Sequence, residues 1–380
     1  MKILIASDLF NPEVNGIVTS INILYEGLKK HGHDVRIVTL SQTHSERKDG
    51  DFYYIPSINA DIVYPHARLV LPGKYKIIKE LIEWNPDVIH THCELSTFCC
   101  ACYIARKTNT PIVHHYHTVY KYYVRYLPLG NLWVRPIVPN IIRQISRKTK
   151  AFITPTDKMR QILEGYHIKS DIFVVPSAIR ECFFDSEYFK YRNSIREKYG
   201  IKENECLLLY LGRVAKEKNI EELVDFIGDE ELSGYRVMIV GDGPHRKKIE
   251  KYIQKQKVSD RVIFVGMIDP NEVPRYYVSG DIFVNASRSE SQGLTYMEAM
   301  ACKIPVLCRY DSCLDGVITN SVNGFMYNNR DEFKQYLRLL ANDEHLRTTV
   351  AENAKTMVFE KYNQEKFVKE CEKIYELNKI

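Results

Sequence analysis

A chain of 380 residues, 45% of them hydrophobic, is too long for one ordinary core and suggests two domains, each able to bury ample apolar surface. The formal net charge of +5 is small for this length, so charge alone does not argue for a nucleic-acid partner. No stretch approaches the roughly 18–20 uninterrupted apolar residues of a membrane-spanning helix, and the apolar start Met1–Ala6 is too short for a secretory signal. A cytosolic protein, or one peripheral to a membrane, is expected. Most cysteines sit singly, and Cys99, Cys100 and Cys102 lack the paired spacing of a zinc site, which fits a reduced compartment.

Short apolar runs alternate with amphipathic segments along the chain, the pattern of βα units building a parallel sheet. Strands are predicted at Lys2–Ser7, Asp34–Thr39, Val88–Thr91, Ile112–His117, Ala151–Thr154 and Ile172–Val175. The charged, aromatic stretch from Arg180 to Glu205 breaks the alternation and reads as a linker. Strands then resume at Leu207–Leu211, Arg236–Val240, Val262–Val265, Ile282–Ala286, Val306–Cys308 and Gly324–Tyr327. Between them, helices are predicted near Ile220–Phe226, Arg246–Lys255, Leu294–Ala301 and Asp331–Leu340. The organisation expected is an α/β fold of two doubly wound domains, residues 1–180 and 181–359, with a helix at about 360–380 packing back on the first.

In such sheets ligands bind at the carboxyl ends of the strands. Arg288-Ser-Glu290-Ser-Gln-Gly293-Leu294-Thr295-Tyr-Met-Glu298 follows a strand and opens a helix. Free backbone N–H groups at a helix start bind phosphate, and the flanking carboxylates Glu290 and Glu298 accept sugar hydroxyls. A plain helix-dipole role for the first glutamate is the bland alternative. In Gly212-Arg213-Val-Ala-Lys216-Glu-Lys218, also after a strand, Arg213 and Lys218 suit a departing diphosphate, although basic residues there are more often merely solvated. Gly241-Asp-Gly243 is a tight turn without full dinucleotide spacing. Gly16, opening a helix after Asn11-Pro-Glu-Val-Asn15, allows close approach of a phosphate. Of the histidines at the strand ends, His117 is the candidate for a hydrogen bond to a sugar hydroxyl.

Together these segments resemble the family 4 retaining glycosyltransferases of GT-B architecture, over nearly the whole chain. The resemblance implies two Rossmann-like domains facing each other across a cleft, and a nucleotide-sugar donor, with no essential metal and no cofactor. By position it implies Glu290 at the donor sugar, Gly293, Leu294 and Thr295 at sugar and phosphate, and Glu298 at the ribose. Arg213 and Lys218 would meet the diphosphate, Gly16 a phosphate from the other domain, and His117 the reacting sugar.

The stretch Leu95–Thr156 holds no acidic residue but many basic ones, Arg125 and Arg135 among them, interleaved with aromatics such as Tyr120, Tyr123, Tyr126 and Trp133. That mixture suits an anionic membrane interface, with a core helix bearing a solvated basic side as the alternative. No nucleic-acid recognition module is visible. Tyr116-His117-Thr118-Val-Tyr120 and Gln292-Gly293-Leu294-Thr295 look like the bacterial diacylglycerol glucosyltransferases, which implies UDP-glucose as donor, diacylglycerol as acceptor and peripheral binding at the inner membrane face. Lys121 and Tyr122 depart from acidic residues common in that group, and Val175-Pro-Ser-Ala-Ile-Arg lacks its usual glycine. A soluble or polysaccharide-precursor acceptor is the alternative, and a non-catalytic nucleotide-sugar or membrane-binding module the second. Oligomeric state is left open.

Overall fold

The computed structural model describes residues 1–11, 15–60, 68–71, 73–119 and 136–379. It divides into two compact units, one of residues 1–178 with 364–380, the other of residues 179–363.

The first unit runs β1 (Lys2–Ala6), α1 (Gly16–Lys30), β2 (Asp34–Leu40), β3 (Arg47–Asp49), β4 (Phe52–Ile55), β5 (Ser57–Asn59), β6 (Arg68–Val70), α2 (Lys76–Trp84), β7 (Val88–Thr91), α3 (Ser96–Thr108), β8 (Ile112–His115), α4 (Val138–Ser146), β9 (Ala151–Thr154), α5 (Asp157–Gly165) and β10 (Asp171–Val174). The main sheet has the order β10-β9-β8-β7-β1-β2-β4-β3, parallel except for the β3–β4 hairpin. Its central strands lack polar–apolar alternation because both faces are covered, and β7, β8 and β9 are buried along their whole length, the polar His90, Thr91, His114 and His115 included. The chain order reverses between β1 and β7, so the loops after these two strands flank the switch point where such sheets bind ligands.

The second unit runs α6 (Arg192–Lys198), β11 (Cys206–Leu211), α7 (Ile220–Ile227), β12 (Tyr235–Val240), α8 (Arg246–Lys255), β13 (Val262–Gly266), α9 (Val273–Tyr277), β14 (Ile282–Asn285), α10 (Leu294–Ala301), β15 (Val306–Arg309), β16 (Phe325–Tyr327), α11 (Arg330–Asn342) and α12 (Glu344–Lys361). Its sheet is wholly parallel in the order β13-β12-β11-β14-β15-β16, which is the dinucleotide-fold order with its switch point between β11 and β14. Among the described residues no helix is long and apolar enough to cross a membrane.

One expectation changes. The stretch Arg180–Glu205 is not a linker but part of the second unit. Ile179, Phe183, Ile195 and Ile201 are buried in its core, and the Arg192 and Arg196 guanidiniums both pair with Asp281 at the foot of β14. The stretch has no strand period because its backbone runs through 3-10 turns into the helix α6. The helical tail divides: α12 stays on the second unit, whereas α13 (Gln364–Asn378) packs on α1 of the first. The α13 face Phe367, Val368, Cys371, Ile374 and Tyr375 is buried, each large apolar side chain contributing about 1.5–3 kcal/mol. Contact with α1 is close, since a Cβ on Gly27 would stand 2.4 Å from Val368 Cγ2.

Candidate functional site

In the second unit both motifs fall on the loops that flank the switch point. After β11 the chain turns at Gly212, passes Arg213, and reaches Lys218 at the end of a short 3-10 turn. After β14 it passes Arg288 and Glu290 to Gly293, the residue before α10. The loops are tied together. Arg288 N donates to Glu217 O at 3.2 Å, the Arg288 guanidinium reaches Glu222 at 2.9 Å, and Lys218 Nζ donates to Glu290 Oε1 at 2.7 Å. The Lys218–Glu290 pair is largely buried, with side chains 21% and 11% exposed, so each charge is held by the other rather than by water.

Gly293 has φ +79° and ψ 53°, a left-handed conformation, and a Cβ there would lie 2.5 Å from the buried Tyr296 ring. Only glycine fits. No side chain caps α10 and no acid stands in its first turn, so the positive end of the helix is left to an anion. Leu294 and Thr295, the first two residues of α10, are half-buried. Glu298, one turn further on, accepts from Tyr277 Oη at 2.8 Å, and burial raises its carboxyl above the ordinary glutamate range.

Three residues supporting this site escape sequence reasoning. Tyr210 Oη donates to Arg213 O at 2.9 Å, Asp311 accepts from Glu290 N at 3.5 Å, and Tyr277 holds Glu298. Asp311 and Tyr277 each lie 21 residues from the group they support, a distance that motif spacing does not show, whereas Tyr210 stands just ahead of its motif. The turn at Gly241-Asp-Gly243 has a packing role. A Cβ at Gly241 or Gly243 would collide with Gly212 O at 2.1 Å or Val214 O at 2.3 Å, so these glycines let the loops after β11 and β12 lie backbone to backbone.

In the first unit His117 stands two residues beyond β8 rather than closing it, because β8 ends at His115. Its Nε2 is 2.9 Å from His92 Nδ1, and its ring stacks on His115 at 4.0 Å between centroids. Burial, then the neighbouring His114, lowers its pKa to about 3, so at neutral pH the ring is uncharged and can donate from one nitrogen and accept at the other. Gly16 opens α1, but the Asn15 side chain already accepts from Ile17 N and Val18 N at 3.0 Å each, which competes with a phosphate at that helix end. The Asp8 carboxylate, from the loop after β1, caps α3 through Thr97 N at 2.7 Å and Ser96 N at 3.2 Å. Tyr120, Tyr123, Arg125, Tyr126, Trp133 and Arg135 lie outside the described residues.

Two family models divide the chain between them. "Glycosyltransferase Family 4" matches residues 14–181 and "Glycosyl transferases group 1" residues 191–357. The chain is 33% identical over 333 residues to the alpha-monoglucosyldiacylglycerol synthase of Streptococcus pneumoniae, covering 86% of this chain and 75% of that protein. It is 30% identical over 393 residues to the synthase of the same name from Acholeplasma laidlawii, covering 99% and 96%. In fold it is similar to Anabaena HepE, solved in complex with UDP and glucose, with a TM-score of 0.77 at 15% identity over 99% of this chain and 100% of that one. With two Rossmann-like units of α/β GT-B class and these relatives, the chain belongs to the group 1, family 4 glycosyltransferases.

Proposed function

We propose that this glycosyltransferase moves glucose from UDP-glucose to diacylglycerol with retention of the α configuration, acting peripherally at the cytoplasmic face of the membrane. The observation that carries the donor half is the Lys218–Glu290 pair beside the uncapped start of α10 at Gly293, which sets a cation, a carboxylate and free backbone donors around one switch point. The acceptor half is supported by the two synthases at 33% and 30% identity.

In this reading the diphosphate lies against the N–H groups of Leu294 and Thr295, and Arg213 and Lys218 offset the charge that grows as the sugar–phosphate bond breaks. Glu290 orients Lys218 and accepts from the sugar hydroxyls, while Glu298 accepts from the ribose. His117 hydrogen-bonds a substrate hydroxyl. The leaving phosphate takes the acceptor proton on the face it leaves, so no protein nucleophile and no metal enter the transfer. Catalysis then rests on electrostatic stabilisation by fixed donors. The basic aromatic segment around Tyr120–Arg135 supplies the membrane contact.

UDP release from UDP-glucose, with and without diacylglycerol in anionic vesicles, tests the whole reading. Lipid-dependent release with an α-linked glucolipid product is expected. Release with soluble acceptors alone discards the lipid, and no release with any UDP-sugar discards the donor.

A further inference from the structure

Four histidines of the first unit form a column on one face of its sheet. His90 and His92 are two residues apart along β7 and its continuation, so they point the same way. The register sets His90 beside Val113 on β8, which brings His115 level with His92 on the neighbouring strand. The rings stack, His90 on His92 at 4.4 Å and His90 on His115 at 5.5 Å between centroids, and His117 continues the column.

The column is incompletely bonded. His90, His92 and His115 are 0–1% exposed. Each of the first two has one nitrogen held, His90 Nδ1 by Tyr375 Oη at 2.6 Å and His92 Nδ1 by His117 Nε2 at 2.9 Å. Nε2 of both, and both nitrogens of His115, are buried without a hydrogen-bond partner. An imidazole nitrogen sealed from water with nothing to bond is costly, and several together ask for an occupant.

We propose that His90, His92 and His115 bind a divalent transition-metal ion of the zinc class. One nitrogen from each lies within 4.8 Å of the other two. Nitrogens sharing a tetrahedral ion at about 2.1 Å stand roughly 3.4 Å apart, so the nitrogens need to draw together by no more than about 1.4 Å, and the stacked rings must rotate out of parallel for their lone pairs to converge on the ion. Three imidazoles and no carboxylate suit zinc, cobalt or nickel rather than magnesium or calcium. Holding the far nitrogen of a ligating histidine, as Tyr375 and His117 do, is the usual way such ligands are oriented. Burial keeps all three rings neutral, His90 down to a pKa of about 3 and the other two well below the ordinary histidine value, so their lone pairs are available.

The ion takes no part in the sugar transfer; it fixes tautomers. A metal on His92 Nε2 would leave the proton on Nδ1, which then donates to His117 Nε2 and keeps the His117 proton on its Nδ1. His92 and Tyr375 are therefore positioning residues for their neighbours.

The test counts metal. The full chain is unfolded with chelator, refolded with zinc or cobalt(II), desalted, and its bound metal measured by mass spectrometry, with circular dichroism to verify folding. About one ion per chain is expected, with the visible absorption of low-coordinate cobalt in the second case. His90→Gln and His115→Asn abolish retention. Tyr375→Phe keeps all three ligands but weakens zinc binding by roughly 10–100-fold in a chelator competition, as loss of an outer hydrogen bond does. No retained ion in the refolded chain, or unchanged retention in the folded histidine variants, overturns the proposal.

Discussion

Replacing Gly293 with alanine tests the geometry of the donor loop through two separable costs. The left-handed backbone at φ +79° charges a non-glycine residue about 1–2 kcal/mol. The new methyl would lie 2.5 Å from Tyr296 Cδ2 and 2.6 Å from Cε2, and Tyr296 is fully buried, so the ring has nowhere to retreat and overpacking adds about 1–3 kcal/mol. A loss of roughly 2–5 kcal/mol in unfolding free energy is expected from urea denaturation followed by circular dichroism. Any relief comes from shifting the start of α10, which moves the N–H groups of Leu294 and Thr295, so the KM for UDP-glucose rises in the fraction that folds. Gly234→Ala is the control in the same unit, because a Cβ there meets nothing within 4 Å. If Gly293→Ala unfolds like the control and binds donor normally, the loop does not hold the conformation described.

Lys218→Gln removes the cation facing the diphosphate and is expected to cut turnover by about 10²–10³-fold, measured as UDP release, with Glu290→Gln comparably damaging. The Asp8 carboxyl, raised by burial from 3.8 to about 6, is worth more to the fold protonated than charged. Its contribution of about 3 kcal/mol is therefore complete below pH 3.8 and lost as pH rises through 6, and Asp8→Asn should flatten stability against pH over that window in chemical denaturation. Asp281→Ala strands Arg192 and the deeply buried Arg196 and should lower stability by about 3–5 kcal/mol in the same assay. Gly27→Ala and Val368→Ala should couple: the alanine methyl collides with Val368, so the double variant is more stable than the sum of the two losses predicts.

The central strands were legible because a strand covered on both faces must be an unbroken apolar run. Leu207–Leu211 and Ala151–Thr154 match the observed β11 and β9 to within one residue. The edge was not legible. Exposed Arg47–Asp49 has no apolar signal, and β4 becomes a strand by pairing with β2, a long-range partner that local pattern does not reveal. In the site, the stretch Arg288–Glu298 could be placed because strand, loop and helix start are all written locally. The tyrosine that holds its Glu298 comes from α9, and the histidine column emerges only when register sets β8 beside β7.

The division of the helical tail has a consequence for how the chain is made. Residues 364–378 close over α1 and the histidine face, yet they are synthesised after the whole second unit. The second unit can therefore finish folding while the first, begun earlier, still exposes the apolar groove that Phe367, Val368, Ile374 and Tyr375 later fill. During that interval the nascent protein offers chaperones a vacant helix-sized groove. A stop codon ahead of residue 364 would spare every described strand and still leave the amino-terminal unit without its last wall.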